Sequence, residues 1–156
     1  MATSAVPGAI EQLLTILRAR PELQEGVVVL DGPPAEDVSR IDVIAVGWSA
    51  EGDQAVELAQ NFNAAGARTR NEDFAIHGVI DVWIGDPDIS IVRARAFELF
   101  GVIEDAIRAS GPNPTAPTLN GAVLWAHLTN GALRQFFTDQ GTRAALAFTV
   151  TCHARI

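Results

Sequence analysis

Residues 73–109 read DFAIHGVIDVWIGDPDISIVRARAFELFGVIEDAIRA, and the two halves of this stretch have different hydrophobic periods. In the first half, every second position carries an apolar residue or glycine. These positions are Phe74, Ile76, Gly78, Ile80, Val82 and Ile84. A period of two places their side chains on one face of a β-strand. We therefore predict a long central strand with one apolar face.

The strand is followed by Gly85-Asp86-Pro87-Asp88 and then by a pattern typical of a helix. Asp86 or Asp88 can cap this helix, because a short carboxylate accepts hydrogen bonds from amides that lack a helical partner. The apolar residues of the second half fall three or four positions apart: Val92, Ala96, Leu99, Phe100, Ile103, Ala106 and Ile107. The stretch thus predicts a long helix packed on a sheet.

On the N-terminal side of this stretch, a helical pattern follows Pro7 and Gly8 and is expected to end at Pro21. Residues 26–31 and 41–48 are predicted strands, and the second is apolar enough to lie in the middle of a sheet. Residues 51–65 fit either a strand or a helix. A strand is favoured, because Gly66 and the polar residues after it would then connect it to the central strand.

On the C-terminal side, residues 110–117 form a proline-rich connector. We predict a strand over 121–129, a turn at Asn130-Gly131, renewed pairing over 133–138 and a last strand over 144–154. The chain is therefore predicted to be a single α+β domain spanning residues 1–156. Its sheet is expected to be mixed but mostly antiparallel, packed against one long helix, with an additional N-terminal helix.

Composition narrows the classes of function. The chain has 156 residues, 48% of them hydrophobic, and its formal net charge is −8. Sequence-independent DNA binding needs clustered basic residues, so this charge argues against it. The first residues lack the pattern of a signal peptide, and no apolar run approaches the length of a membrane span. No association with a membrane is expected.

Residues that could perform catalysis or bind a metal are scattered. His77, His127 and His153 lie on three different predicted strands, and no pair has the local spacing of a zinc site. Cys152, the single cysteine, alternates with apolar residues and is expected to be a buried structural thiol. Neither a Gly-x-Ser-x-Gly motif nor a glycine-rich phosphate loop is present. We therefore predict no enzyme, no metal site and no cofactor.

Two features suit partner binding. The first is a charged loop before the central strand, residues 68–73, which carries Arg68, Arg70, Glu72 and Asp73; the alternative is a solvated hairpin tip. The second is a set of three tryptophans on predicted strands, Trp48, Trp83 and Trp125, for which packing in the core is at least as good an explanation. Trp83 lies on the face opposite the isoleucines of the central strand. It is expected to meet either a second layer or another subunit.

Several segments in a fixed order resemble one protein family. After the N-terminal helix come a Val-rich strand into Gly-Pro, IDVIAVGW at 41–48, GARTRNE at 66–72, an Asp-rich turn before a helix containing RARA at 93–96, and the closing FTVTCHARI. Together they resemble the tail terminator, or tail completion, proteins of long-tailed actinobacterial phages. The likeness covers nearly the whole chain and lies in the order of these segments and in their residue composition.

This resemblance implies a small subunit that closes into a ring, typically a hexamer, on the last ring of the tail tube. The ring would stop tube polymerisation, present a surface to the head connector and let DNA pass without specific binding. The expected location is the head-proximal end of the virion tail, after assembly in the host cytoplasm. Two alternatives stay open: a neck or head-completion protein of the same junction, and a small enzyme or ligand-binding domain with a pocket beside the long helix.

Overall fold

The computed structural model describes residues 3–34, 42–52, 54–109 and 114–156. These residues contain two α-helices and six strands. The helices are α1 (Val6–Arg18) and α2 (Ile89–Ile107), and the strands are β1 (Val27–Asp31), β2 (Asp42–Val46), β3 (Val56–Phe62), β4 (Arg70–Ile84), β5 (Trp125–Thr138) and β6 (Gly141–Arg155). Ile41, the first residue of the second predicted strand, and residues 110–113 of the predicted connector lie outside the described residues.

All six strands belong to one sheet, in which β4 is central. The strand order is β1-β2-β4-β6-β5. On the side of β4 away from β6, β3 pairs with its first half and β2 with its second half. Only β1 and β2 are parallel; all other pairs are antiparallel. The prediction of an α+β fold with a mixed, mostly antiparallel sheet is confirmed, as is the central position of β2.

The long helix packs on the sheet as its period predicts. Asp88 is the N-cap of α2, and its carboxylate accepts a hydrogen bond of 2.9 Å from the backbone amide of Ser90. The buried residues of α2 are Val92, Ala96, Leu99, Ile103, Ala106 and Ile107. They pack against the even-numbered residues of β4 and their neighbours on β6. Phe100, predicted for the same stripe, is only partly buried, because it lies towards the edge strand β5.

The N-terminal helix covers the same face of the sheet. Ala9, Leu13, Leu14 and Leu17 are buried in the shared core. At its C-terminal end, the Arg18 guanidinium donates to the carbonyl oxygen of Val29 in β1 at 3.0 Å. The helix ends at Arg18, and Pro21 begins a short 3-10 turn, Pro21–Leu23. We call the side covered by α1 and α2 the helix face, and the opposite side the open face.

Among the described residues, neither helix is long and apolar enough to cross a membrane.

Gly78 marks a close contact within the core. Its cross-strand partner on β6 is Phe148, whose ring lies over the glycine. A Cβ added at Gly78 would come within 2.2 Å of the Phe148 ring and 2.7 Å of the Ala45 carbonyl oxygen. The aromatic ring therefore fills the space that a side chain on β4 would otherwise occupy.

Two boundary predictions on the C-terminal side are wrong. Residues 121–124 are turn rather than strand, and β5 then runs without a break from Trp125 to Thr138. The predicted turn at Asn130-Gly131 lies inside β5, where a bulge shifts the register between Leu128 and Asn130. The reason is that β6 is long enough to pair with both halves of β5. Gly131 also lies against the Phe100 ring, which a side chain would approach to 3.3 Å.

Two predictions nearer the N-terminus have different outcomes. The ambiguous segment 51–65 contains β3, so the preference for a strand is confirmed over Val56–Phe62. The central strand begins earlier than predicted, at Arg70 rather than at Phe74. This extension exists because β3 and β6 offer pairing partners to residues 70–73, a polar run with no strand period of its own.

Candidate subunit interface

The predicted charged loop at 68–73 is divided between a turn and a strand. Arg68 and Thr69 are exposed in the connection from β3, whereas Arg70, Glu72 and Asp73 are part of β4. The prediction of one continuous loop is therefore wrong. Because successive strand residues point to opposite faces, Glu72 faces the helices and Asp73 lies on the open face.

Arg70 and Glu72 are engaged within the subunit. The Arg70 guanidinium donates to Gln60 Oε1 at 3.0 Å and lies 5.9 Å from the centre of the Phe62 ring. Glu72 is fully buried, and its Oε1 accepts from the backbone amide of Ala5, the N-cap of α1, at 2.7 Å. Its Oε2 accepts from the Gln60 side-chain amide. Glu72 therefore holds the start of α1 against the β3–β4 hairpin and is not available to a partner.

Asp73 belongs to a polar and aromatic cluster on the open face. Its carboxylate lies 2.6 Å from Nδ1 of His153, its cross-strand neighbour on β6. The Trp125 ring on β5 stacks on His153 and on His127, with centroid separations of 5.7 and 5.1 Å. These contacts hold the side chains in place, so this part of the open face is a preorganised surface.

The three histidines, distant in sequence, share the open face. His77 Nδ1 lies 3.4 Å from the Thr149 hydroxyl, in the same region of the sheet as His153 and His127. Within the part of the chain that the structure describes, no three His, Cys, Asp or Glu side chains come close enough to hold a metal ion. Cys152 lies on the helix face, and burial raises the pKa of its thiol to about 12. The thiol is thus protonated at neutral pH and unsuited to nucleophilic attack.

Trp83 lies at the other end of the open face, half-buried. Its cross-strand neighbour on β6 is Arg143. The Nε of Arg143 donates a hydrogen bond of 2.8 Å to Oδ1 of Asp81. The indole Nε1 of Trp83 is buried and has no hydrogen-bond partner among the described residues. The Arg143 guanidinium also lies 5.7 Å from the centre of the exposed Phe136 ring.

After β2, residues 47–52 extend over the open face. The chain leaves the sheet where the amides of Gly47 and Trp48 donate to the His77 carbonyl, and it returns where Ala55 accepts from the His77 amide at 3.0 Å. Between these points, Glu51 forms an ion pair with Arg134 on β5. Trp48 is thus in this segment and not in the strand predicted for it.

Among the described residues, the space between α2 and the sheet, where a pocket was predicted, is filled by side chains: Val92, Ala96, Leu99 and Ile103 are fully buried there. Open depressions lie at the rims of the helix instead. One is lined by Asp42, Ile84, Ser90, Ile91, Ala94, Arg95 and Glu98. Another lies at the end of α2 beside β5 and includes Pro117, Ala126, His127 and Leu128.

Sequence reasoning missed the large apolar side chains that the structure exposes along β3 and β5, two of the three edge strands of the sheet. On β3, Leu58 and Phe62 are 49% and 72% exposed. On the opposite side, the exposed residues on or beside β5 are Leu124, Trp125, Phe136 and Phe137. One signal was available: the consecutive Phe136 and Phe137 in a strand must point to opposite faces, so at least one of them lies outside the helix face.

No model of a known protein family and no curated protein matches the chain.

Proposed function

We propose that this protein is a structural subunit that assembles into a ring at the head-proximal end of a phage tail tube. In this role it ends tube polymerisation and joins the tail to the head connector. The observation that carries the proposal is the exposure of apolar side chains on two opposite edges of one sheet, β3 and β5. In a cyclic ring, each subunit presents two different surfaces, one to each neighbour, and these edges are suited to that arrangement.

The size of the exposed side chains supports assembly. Phe62 and Phe137 are each more than 70% exposed. Leaving large apolar side chains in water is unfavourable, by roughly 1.5–3 kcal/mol for each one compared with full burial. Association through both edges would remove these side chains from water.

The charge of the chain is compatible with a channel for DNA. With a formal net charge of −8 and no lysine, the subunit offers few cations to phosphates. An acidic lumen repels the DNA backbone, so DNA passes without being retained. The ring is therefore proposed to surround DNA without binding it specifically.

Of the residues at 68–73 that were predicted to contact a partner, Arg68 and Asp73 remain candidates, because both side chains are exposed. Arg68 lies at the tip of the β3–β4 hairpin, beside the β3 edge. Arg70 stabilises the same hairpin from within. Trp83 remains a candidate on the open face.

The proposal is tested by light scattering after size exclusion, followed by electron microscopy of the protein alone and mixed with tail tubes of the phage that encodes it. We expect rings that cap one end of the tubes. Rings found only on the connector would favour the neck protein instead. A monomer that binds neither tubes nor connectors would contradict the proposal.

A further inference from the structure

Two Asn-Gly dipeptides occur in the chain, Asn120-Gly121 and Asn130-Gly131. In such a dipeptide, the amide nitrogen of the glycine is able to attack the side-chain carbonyl carbon, Cγ, of the asparagine. Glycine has no side chain to hinder this approach, and asparagine is among the thermolabile residues of proteins. The structure places the two dipeptides in different surroundings.

The amide of Gly131 faces away from the sheet. Arg70 and Ile156 exchange both of their backbone hydrogen bonds, so by alternation the even-numbered residues of β6 direct their amides and carbonyls to β4. Phe148 therefore bonds to Gly78 on β4, and it faces Gly131 on β5 in a pair without hydrogen bonds. Because β5 is the last strand on this side of the sheet, the Gly131 amide points outward from the ladder.

This outward-facing amide contacts the side chain that precedes it. The Gly131 nitrogen donates a hydrogen bond of 3.1 Å to Oδ1 of Asn130. Cγ is bonded to this oxygen, so the nitrogen and the carbon that it attacks are held close together, as reacting groups are in a near-attack arrangement. Both residues are exposed, so water reaches them.

The other dipeptide is held by hydrogen bonds to its surroundings. The Gly121 amide donates to the carbonyl oxygen and to the hydroxyl of Thr118, at 3.0 and 3.1 Å. The Asn120 side-chain amide donates to Oε1 of Gln12 on α1 at 2.9 Å. Attack by the Gly121 nitrogen requires the loss of these hydrogen bonds, which raises its barrier.

We infer that Asn130 is a site of spontaneous self-modification, at which attack by the Gly131 amide converts the asparagine to aspartate and isoaspartate in the folded protein. Asn120 is protected from the same reaction. The reaction needs no partner and is independent of the proposed ring.

Water is the only co-reactant. The Gly131 nitrogen loses its proton to solvent base and forms a bond to Cγ of Asn130, while the Cγ–Nδ2 bond breaks and Nδ2 leaves as ammonia after taking a proton from water. The product is a cyclic imide. Water then adds either at Cγ, which restores the normal chain with aspartate, or at the backbone carbonyl carbon of residue 130. The second route gives isoaspartate, in which the chain runs through the former side chain.

Both products change β5 next to its bulge. Each adds a negative charge on the open face, where Asn130 lies opposite Thr149 of β6. Isoaspartate also lengthens the backbone by one carbon atom, which shifts the residues that follow it against their partners on β6. Conversion therefore gives aged subunits an altered edge strand.

Mass spectrometry of the whole protein after incubation in water enriched in oxygen-18 tests the inference. Cleavage after Arg108 and Arg134 releases residues 109–134, a peptide that contains both dipeptides. Digestion in ordinary water leaves any later conversion unlabelled. Fragment ions assign the label to each asparagine, and enzymatic methylation of isoaspartate identifies that product.

We expect Asn130 to convert at least about tenfold faster than Asn120, with isoaspartate among the products. The rate should rise with pH, because the attacking nitrogen must lose its proton. In guanidinium chloride, where both sites lose their surroundings, the two asparagines should convert at similar rates. In Asn130→Gln, the longer side chain forms the cyclic imide far more slowly, so the label at this position should disappear and the rate at Asn120 should stay unchanged.

Three results would overturn the inference. The first is equal rates at the two sites in the folded protein. The second is no conversion of Asn130 in the folded protein under conditions in which the unfolded chain converts. The third is labelled aspartate at Asn130 without isoaspartate, because direct hydrolysis of the side chain by water gives aspartate alone.

Discussion

At the scale of single residues, Glu72 connects three parts of the chain. Its carboxylate accepts hydrogen bonds from the Ala5 amide at the start of α1 and from Gln60 on β3. A carboxylate near the N-terminus of a helix also interacts favourably with the helix dipole. A fully buried carboxylate needs such partners, because burial without them costs several kcal/mol.

Replacement of this carboxylate by an amide should destabilise the fold. In Glu72→Gln, the new NH2 group faces either the Ala5 amide or the Gln60 amide, both of which are donors. We expect the free energy of unfolding to fall by about 1–3 kcal/mol, the usual cost of an unsatisfied buried polar group. Urea unfolding followed by circular dichroism measures it.

The control is Glu104→Gln on α2, where the carboxylate is half exposed and its contact with Arg108 is 3.9 Å long. It should change the unfolding free energy by no more than about 0.5 kcal/mol. Equal effects of the two variants would show that the buried contacts of Glu72 contribute no more than a surface charge does.

At the scale of secondary structure, the contact between β4 and β6 depends on Gly78. A methyl group at this position overlaps the Phe148 ring and approaches the Ala45 carbonyl oxygen of β2. We expect Gly78→Ala to lower the unfolding free energy by about 1–3 kcal/mol, because overpacking forces side chains and backbone to move. Thermal and urea unfolding measure the change.

Two further variants separate overpacking from a general effect of alanine. Gly101→Ala on α2 adds a methyl group where no atom outside the adjacent backbone of the helix lies within 4 Å. It should stabilise the protein by about 0.5–1 kcal/mol, because glycine is unfavourable inside a helix. Phe148→Leu combined with Gly78→Ala should recover part of the loss. If the Phe148 substitution adds to the loss instead, the ring is not the obstacle.

At the scale of the whole molecule, the ring is proposed to depend on the hairpin formed by β3 and β4. Arg68 is exposed at its tip, whereas Arg70 contacts Gln60 and Phe62 in the same subunit. Reversal of charge at Arg68 alone therefore tests the interface without disturbing the hairpin. Arg70→Glu would combine an effect on assembly with one on folding.

We expect Arg68→Glu to raise the concentration at which half of the protein is in rings by about tenfold or more, equal to about 1.4 kcal/mol. The control is a charge reversal at an exposed position of α1, Glu11→Arg, which should leave this concentration unchanged. Light scattering over a concentration series gives both values. Identical curves for Arg68→Glu and the unchanged protein would remove Arg68 from the interface.

Much of the fold was predictable because the residues that become buried in one strand or helix recur at a regular spacing along the chain. The period of two in residues 74–84 and the helical spacing after Ile89 each identify the buried face of one element. A cap at Asp86 or Asp88 was also predictable, since a capping side chain bonds to amides within its own turn, and the structure places it at Asp88. The sequence alone therefore determined the strand, the helix, their buried faces and the α+β class.

The remaining features depend on pairs of residues far apart in the chain, which only the tertiary structure decided. Pairing with β6 extends β5 through Asn130-Gly131, although that dipeptide favours a turn locally. The start of α1 lies over Glu72 and makes a polar residue part of the interior. Whether a residue lies on an edge strand likewise depends on which strands pair with each other. The exposure of Leu58 and Leu124 therefore became evident only from the arrangement of the six strands, because the sequence around each residue does not specify which strand pairs with which.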